Sequence, residues 1–104
     1  MTQAEVIARL LEISKQYGNL LNNKAKLTKD FKDQQLLIES KKAEKLSTRS
    51  SLTIKGKEAQ AFNESIPEMI ELTNLQKEIF TIDIDLDILN KEQAVLTTIL
   101  PYLE

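Results

Sequence analysis

Apolar residues recur along the first part of the chain in an alternating three-four rhythm. They fall at Val6, Leu10, Ile13, Tyr17, Leu20, Leu27, Phe31 and Ile38, with Lys24, Gln34 and Lys41 holding polar places in the same register. A seam repeating every 3.5 residues marks a helix that packs lengthwise on another helix. Thr2 followed by Glu5 is the S/T-x-x-E pattern that satisfies free amides at a helix start. The pattern predicts one helix over about 3–47. At about 1.5 Å per residue such a helix is on the order of 65 Å long. Gly18 falls beside the seam, where it costs about 1 kcal/mol against alanine without breaking the helix.

The rhythm is lost in Leu46-Ser-Thr-Arg-Ser-Ser-Leu-Thr-Ile-Lys-Gly-Lys57, which gathers serines, threonines and Gly56. A loop is expected over about 48–56, followed by a short helix over about 57–63, where Glu58, Ala59, Gln60 and Ala61 all favour one. Ser65 with Glu68 is a second capping-box pattern, and Pro67 suits a first helical turn. A last helix is therefore expected over about 66–100, stopped at Pro101. Its seam runs through Leu72, Leu75, Ile79, Ile82, Leu86, Leu89, Gln93, Leu96, Leu100 and Leu103. Thr81-Ile-Asp-Ile-Asp-Leu-Asp-Ile88 alternates with period two, as a half-buried strand would. Helix is still expected, because a lone strand inside a seam kept on both sides has nothing to pair with, and aspartate is depleted in strands.

These elements predict a single all-α domain: two long helices in a coiled-coil-like hairpin with a short connecting helix. Such a hairpin covers each seam on one side only. Burying a Leu or Ile side chain is worth about 1.5–3 kcal/mol, so a homodimer forming a helical bundle is expected. Its core would be the seam residues Leu72, Leu75, Ile79, Ile82, Leu86, Leu89 and Leu96. Lys24, Gln34 and Lys41 would limit and register that assembly.

A second apolar stripe on the last helix lies off the seam. Phe80, Ile84 and Ile88 follow one another at i, i+4, and Val95 with Ile99 continues the band. A helix with two apolar stripes is either buried between neighbours or offers one stripe to a partner. As core, the stripe would belong to the dimeric bundle. As surface, Phe80, Ile84 and Ile88, flanked by Asp83 and Asp87, would dock in a basic-rimmed groove of another protein.

Charge adds an asymmetry that the net value of −2 conceals. Residues 1–57 carry 12 Lys and Arg against 6 Asp and Glu, while residues 58–104 carry 2 against 10. The simpler meaning is that the two halves lie alongside each other and pair their charges; the sharper one is that one half faces a charged partner. The basic residues Lys41, Lys42, Lys45, Arg49, Lys55 and Lys57 could grip phosphates. They lack interleaved aromatics and are diluted by Glu39 and Glu44, so a solvated face is the plainer reading. A nucleic-acid accessory protein of recombination or replication, or a structural coiled-coil protein, remain the alternatives to a protein-binding function.

Catalytic and metal chemistry finds little to work with. There is no histidine and no cysteine, which removes the commonest bases, nucleophiles and transition-metal ligands, and no phosphate-cradling glycine motif is present. Asp83, Asp85 and Asp87 open like a calcium loop, but Ile88 stands where its glycine belongs and Ala94 where its closing glutamate belongs. The chain is expected to be non-enzymatic, to need no cofactor or metal, and to take no small-molecule substrate. No apolar run reaches the length of a membrane span, and the N-terminus lacks a signal-peptide layout. A cytoplasmic location is expected.

The size, the two-long-helix layout and two sequences carry a resemblance. These are Thr53-Ile-Lys-Gly-Lys-Glu-Ala-Gln-Ala61 at the break and Leu96-Thr-Thr-Ile-Leu100 at the end of the last helix. The chain resembles the small early proteins of phages of Gram-positive bacteria, and its lysine, asparagine and isoleucine bias suits a low-GC host such as a staphylococcus. Within that group it is similar to the phage-encoded inhibitors of the host's replicative helicase loader. The resemblance implies binding to the loader's AAA+ ATPase domain in the host cytoplasm. The loader then cannot self-associate or engage single-stranded DNA, and host replication stalls. No motif carries functional residues across, so the partner-binding candidates are those of the second stripe.

Overall fold

The computed structural model describes residues 1–47 and 54–103, with the side chains of 45–47, 54, 55 and 61 left aside. The fold is all-α, a helical hairpin in which two long helices pack against each other with a short helix between them in sequence. Helix α1 runs Gln3–Ser47, α2 runs Ile54–Glu64 and α3 runs Ile66–Ile99, closed by a 3-10 turn at Leu100–Tyr102. Thr81–Ile88 is helical throughout. The period-two alternation there yields to the seam on either side, as expected.

The termini follow local chemistry. Thr2 Oγ1 accepts the Glu5 amide at 3.2 Å, which is the expected cap on α1. At the end of α3, Pro101 lacks the N–H that another α-helical turn would use, so the backbone tightens and Leu103 N–H donates to the Leu100 carbonyl at 3.2 Å. Helix α2 begins at Ile54 rather than near 57 and so includes Gly56. Once the Lys57–Ala61 run is helical, each residue added at its start gains a hydrogen bond, which outweighs one glycine. Of the loop expected at 48–56, residues 48–53 lie outside the described residues.

The second capping box is not closed by Glu68. Ser65, fully buried, accepts the Met69 amide on its carbonyl, but its own N–H goes to the Phe62 carbonyl at 3.1 Å. Glu68 does not reach back to it. The Lys41 ammonium takes the Glu68 carboxylate instead, because a charge-assisted bond outcompetes a neutral amide.

The chain forms two compact units. In the first, residues 1–26 pack with residues 79–104. Val6 and Ile13 of α1 meet Leu89 and Leu96 of α3, with Leu10, Tyr17, Leu20, Ile99, Leu100 and Leu103 packed around them. The two segments run antiparallel, since Arg9 pairs with Glu92 and Lys24 with Asp83. In the second unit, residues 27–78, Ile38 and Leu75 are buried. There Gln34 Nε2 donates to the carbonyl of Glu68 at 3.3 Å, the same residue whose carboxylate pairs with Lys41. The expected seams are thus the ones used, but not at every place: Gln93 is exposed, and Leu72, Ile79 and Ile82 are half-buried.

The candidate interaction surface on the last helix

Helix α3 sorts its apolar residues by angle. Leu89 and Leu96 pack with Val6 and Ile13 of α1, and Leu86 is buried too, while Phe80, Ile84 and Ile88 recur every four residues on another face. Phe80 is 65% exposed, Ile84 45% and Ile88 57%; Val95, further along, is 60% exposed. Ile99 departs from the expected band. It packs on the core cluster of the first unit, because it lies three residues after Leu96 and has rotated back towards the seam.

The two aspartates expected to border the stripe are already engaged. Asp83 Oδ1 receives Lys24 Nζ at 2.6 Å, and Asp87 Oδ2 receives Lys91 Nζ one turn along at 2.9 Å. The carboxylate of Asp85, weighed in the sequence only as a calcium ligand, makes no hydrogen bond or ion pair among the described residues. The three aspartates cannot share an ion, since residues two apart on a helix face nearly opposite ways. Among the described residues no cluster of potential ligands could hold a metal.

Beside the stripe, still within the first unit, an open groove of about 380 Å³ runs between the two helices. Gln16, Asn19 and Leu20 of α1 line it with Asp85, Ile88 and Leu89 of α3. Ile88 therefore belongs to stripe and groove at once. The sequence singles out neither Gln16 nor Asn19, and Asp85 only as a calcium ligand. The signal was present in the register: Gln16 and Asn19 precede the seam residue Leu20 by four and one, as Asp85 and Ile88 precede Leu89. Seeing a groove there required knowing that Leu20 and Leu89 come to the same level.

Other apolar side chains are exposed too. In the first unit these include Ile7, Leu11 and Leu21 of α1; in the second they are Leu36, Leu37, Phe62, Ile66 and Ile70. Of the basic residues near the break, Lys41 is committed to Glu68 and Lys57 also has a partner. Lys42 is half-buried. Arg49 and the side chains of Lys45 and Lys55 lie outside the described residues, so no phosphate-gripping cluster is described.

No family model matches the chain, and no curated protein or solved structure matches it significantly. No helix among the described residues is long and apolar enough to cross a membrane.

Proposed function

We propose that the chain is a non-catalytic binding protein that acts by occupying another protein's surface with α3. One observation carries the reading: Phe80, Ile84 and Ile88 stand exposed on one face of a helix whose neighbouring seam is filled. Large apolar side chains aligned at i, i+4 are the anchors of a helix that lies in a hydrophobic groove. Asp83 and Asp87 border them but already hold Lys24 and Lys91, so the apolar side chains are what the receptor groove must meet. The resemblance to phage inhibitors of the helicase loader supplies the partner: the loader's AAA+ ATPase domain, blocked from self-association or from single-stranded DNA in the host cytoplasm.

Self-association belongs to the same reading. The seam residues Leu75, Leu86, Leu89 and Leu96 are buried within one chain, so two copies would pair over the half-covered Leu72, Ile79 and Ile82 and the exposed apolar faces. Light scattering on the purified protein gives its mass and decides between monomer and homodimer.

The test is capture from lysate of a Gram-positive host with the tagged chain as bait, repeated after nuclease, then titration of the purified loader ATPase domain by calorimetry. Retention of the loader after nuclease, direct binding of its ATPase domain, and loss of both in Ile84→Asp are the expected results. A catch that vanishes with the nucleic acid replaces this function with the nucleic-acid accessory one.

A further inference from the structure

The groove beside the stripe has a composition that selects an occupant. Its floor is apolar, Leu20 and Leu89, and Ile88 stands at one wall. Its polar groups are few: the side-chain amides of Gln16 and Asn19 and the carboxylate of Asp85. Gln16 donates to Glu12 at 3.2 Å. The side chains of Asn19 and Asp85 make no hydrogen bond among the described residues. The neighbouring carboxylates Asp83 and Asp87 already hold lysines. Among the described residues, Asp85 is thus the acceptor on this stretch of α3 whose charge meets no partner, and an ionised carboxylate accepts only.

We infer that this groove receives one aliphatic or aromatic side chain of the partner protein, with a lysine or arginine beside it bonded to Asp85. The inference rests on the reading that α3 is the partner-binding helix, and it names the chemistry that the partner brings. At about 380 Å³ the groove has room for an apolar side chain together with the basic one beside it. Contact on both sides of Ile88 makes the interface reciprocal: the stripe enters the partner, and the partner's anchor enters between α1 and α3. Interface hot spots pair in this way, with an apolar anchor in a pocket and a charge at its edge.

The probe is a pair of dipeptides, N-acetyl-leucyl-arginine amide and N-acetyl-leucyl-glutamate amide, titrated into the ¹⁵N-labelled full chain and followed by NMR. The arginine dipeptide is expected to move the side-chain amide signals of Gln16 and Asn19 and the backbone signals of Asp85, Ile88 and Leu89 saturably. The glutamate dipeptide is expected to bind about fivefold more weakly, the worth of one exposed ion pair, and Asp85→Asn to erase that difference. Equal binding of the two dipeptides, or no saturable shift in the groove up to their solubility, overturns the inference. So does a groove signal that moves on dilution of the protein alone, which assigns the groove to a second copy. Partner capture separates this inference from the reading beneath it. Ile84→Asp that spares capture sinks the α3 reading; Asp85→Asn that spares capture while Ile84→Asp abolishes it sinks the groove alone.

Discussion

Glu68 shows how much one side chain can be asked to do. Its carboxylate is about 15% exposed and takes the Lys41 ammonium, its carbonyl accepts Gln34, and its Oε2 is buried without a hydrogen-bond partner among the described residues. The bond from Lys41 comes first among the causes that hold its pKa below the ordinary carboxylate value. A lowered folded pKa stabilises the fold above the unfolded value and stops doing so as pH falls through the folded one. Urea melts across acidic pH should therefore show stability falling from the ordinary carboxylate range downward. Glu68→Gln should be less stable at neutral pH and should flatten part of that slope; an unchanged slope would assign the acid sensitivity to other groups. Gly18 presents the opposite case, a residue that nothing inside the chain requires. A Cβ there would meet open space, so Gly18→Ala should raise stability by about 1 kcal/mol through helix propensity alone, read as a higher melting temperature. A loss of stability instead would show a second molecule packed on that face.

At the scale of elements, α3 carries two faces with opposite sensitivities. Leu86 is 7% exposed, and a charge placed there has no partner to repay its desolvation. Leu86→Asp should cost several kcal/mol and largely abolish the cooperative melt seen by circular dichroism. Ile84→Asp, on the exposed face, should change stability by no more than about 0.5 kcal/mol. Should the two variants melt alike, the stripe is core and the binding surface lies elsewhere. The two stripes of α3 were legible in the sequence as a roughly 3.5-residue seam and an i, i+4 band. Whether the band is core or surface was not, because that depends on what packs beside it. The span of α1 was legible from its own seam. Ile99 was misplaced because periodicity measured from Val95 ignores the nearer seam at Leu96. Asp85 was missed because its importance depends on which lysines reach Asp83 and Asp87, and Lys24 comes from a different helix. Local patterns specify an element's faces; they do not specify which charges the neighbouring element will consume.

For the whole molecule, the basic first half and acidic second half meet each other. Arg9 pairs with Glu92, Lys24 with Asp83 and Lys41 with Glu68, which is the simpler of the two meanings of the charge asymmetry. Lys24, Gln34 and Lys41, expected to regulate assembly between copies, find their partners inside the chain. The Arg9 contact has the geometry of a fork: Nε donates to Glu92 Oε2 at 2.7 Å and Nη2 to Oε1 at 3.0 Å. Reversing either charge alone, Arg9→Glu or Glu92→Arg, should lower the melting temperature, and combining them should recover most of the loss. Simple addition of the two losses would show no direct coupling.

These pairs also answer a question that the leucines leave open. A seam of similar apolar residues is a ruler without numerals: slide one helix by seven residues and most apolar contacts reappear. In the first unit the charges supply the numerals. A slide that brings Asp85 to Arg9 brings uncharged Gln76 to Lys24, and the opposite slide brings Ile99 to Arg9 and Asn90 to Lys24. Either seven-residue slide reads wrong at one station or both. Side chains that add little to the strength of the hairpin can thus decide which hairpin forms, and a variant stripped of them would be expected to stay helical while losing its single alignment.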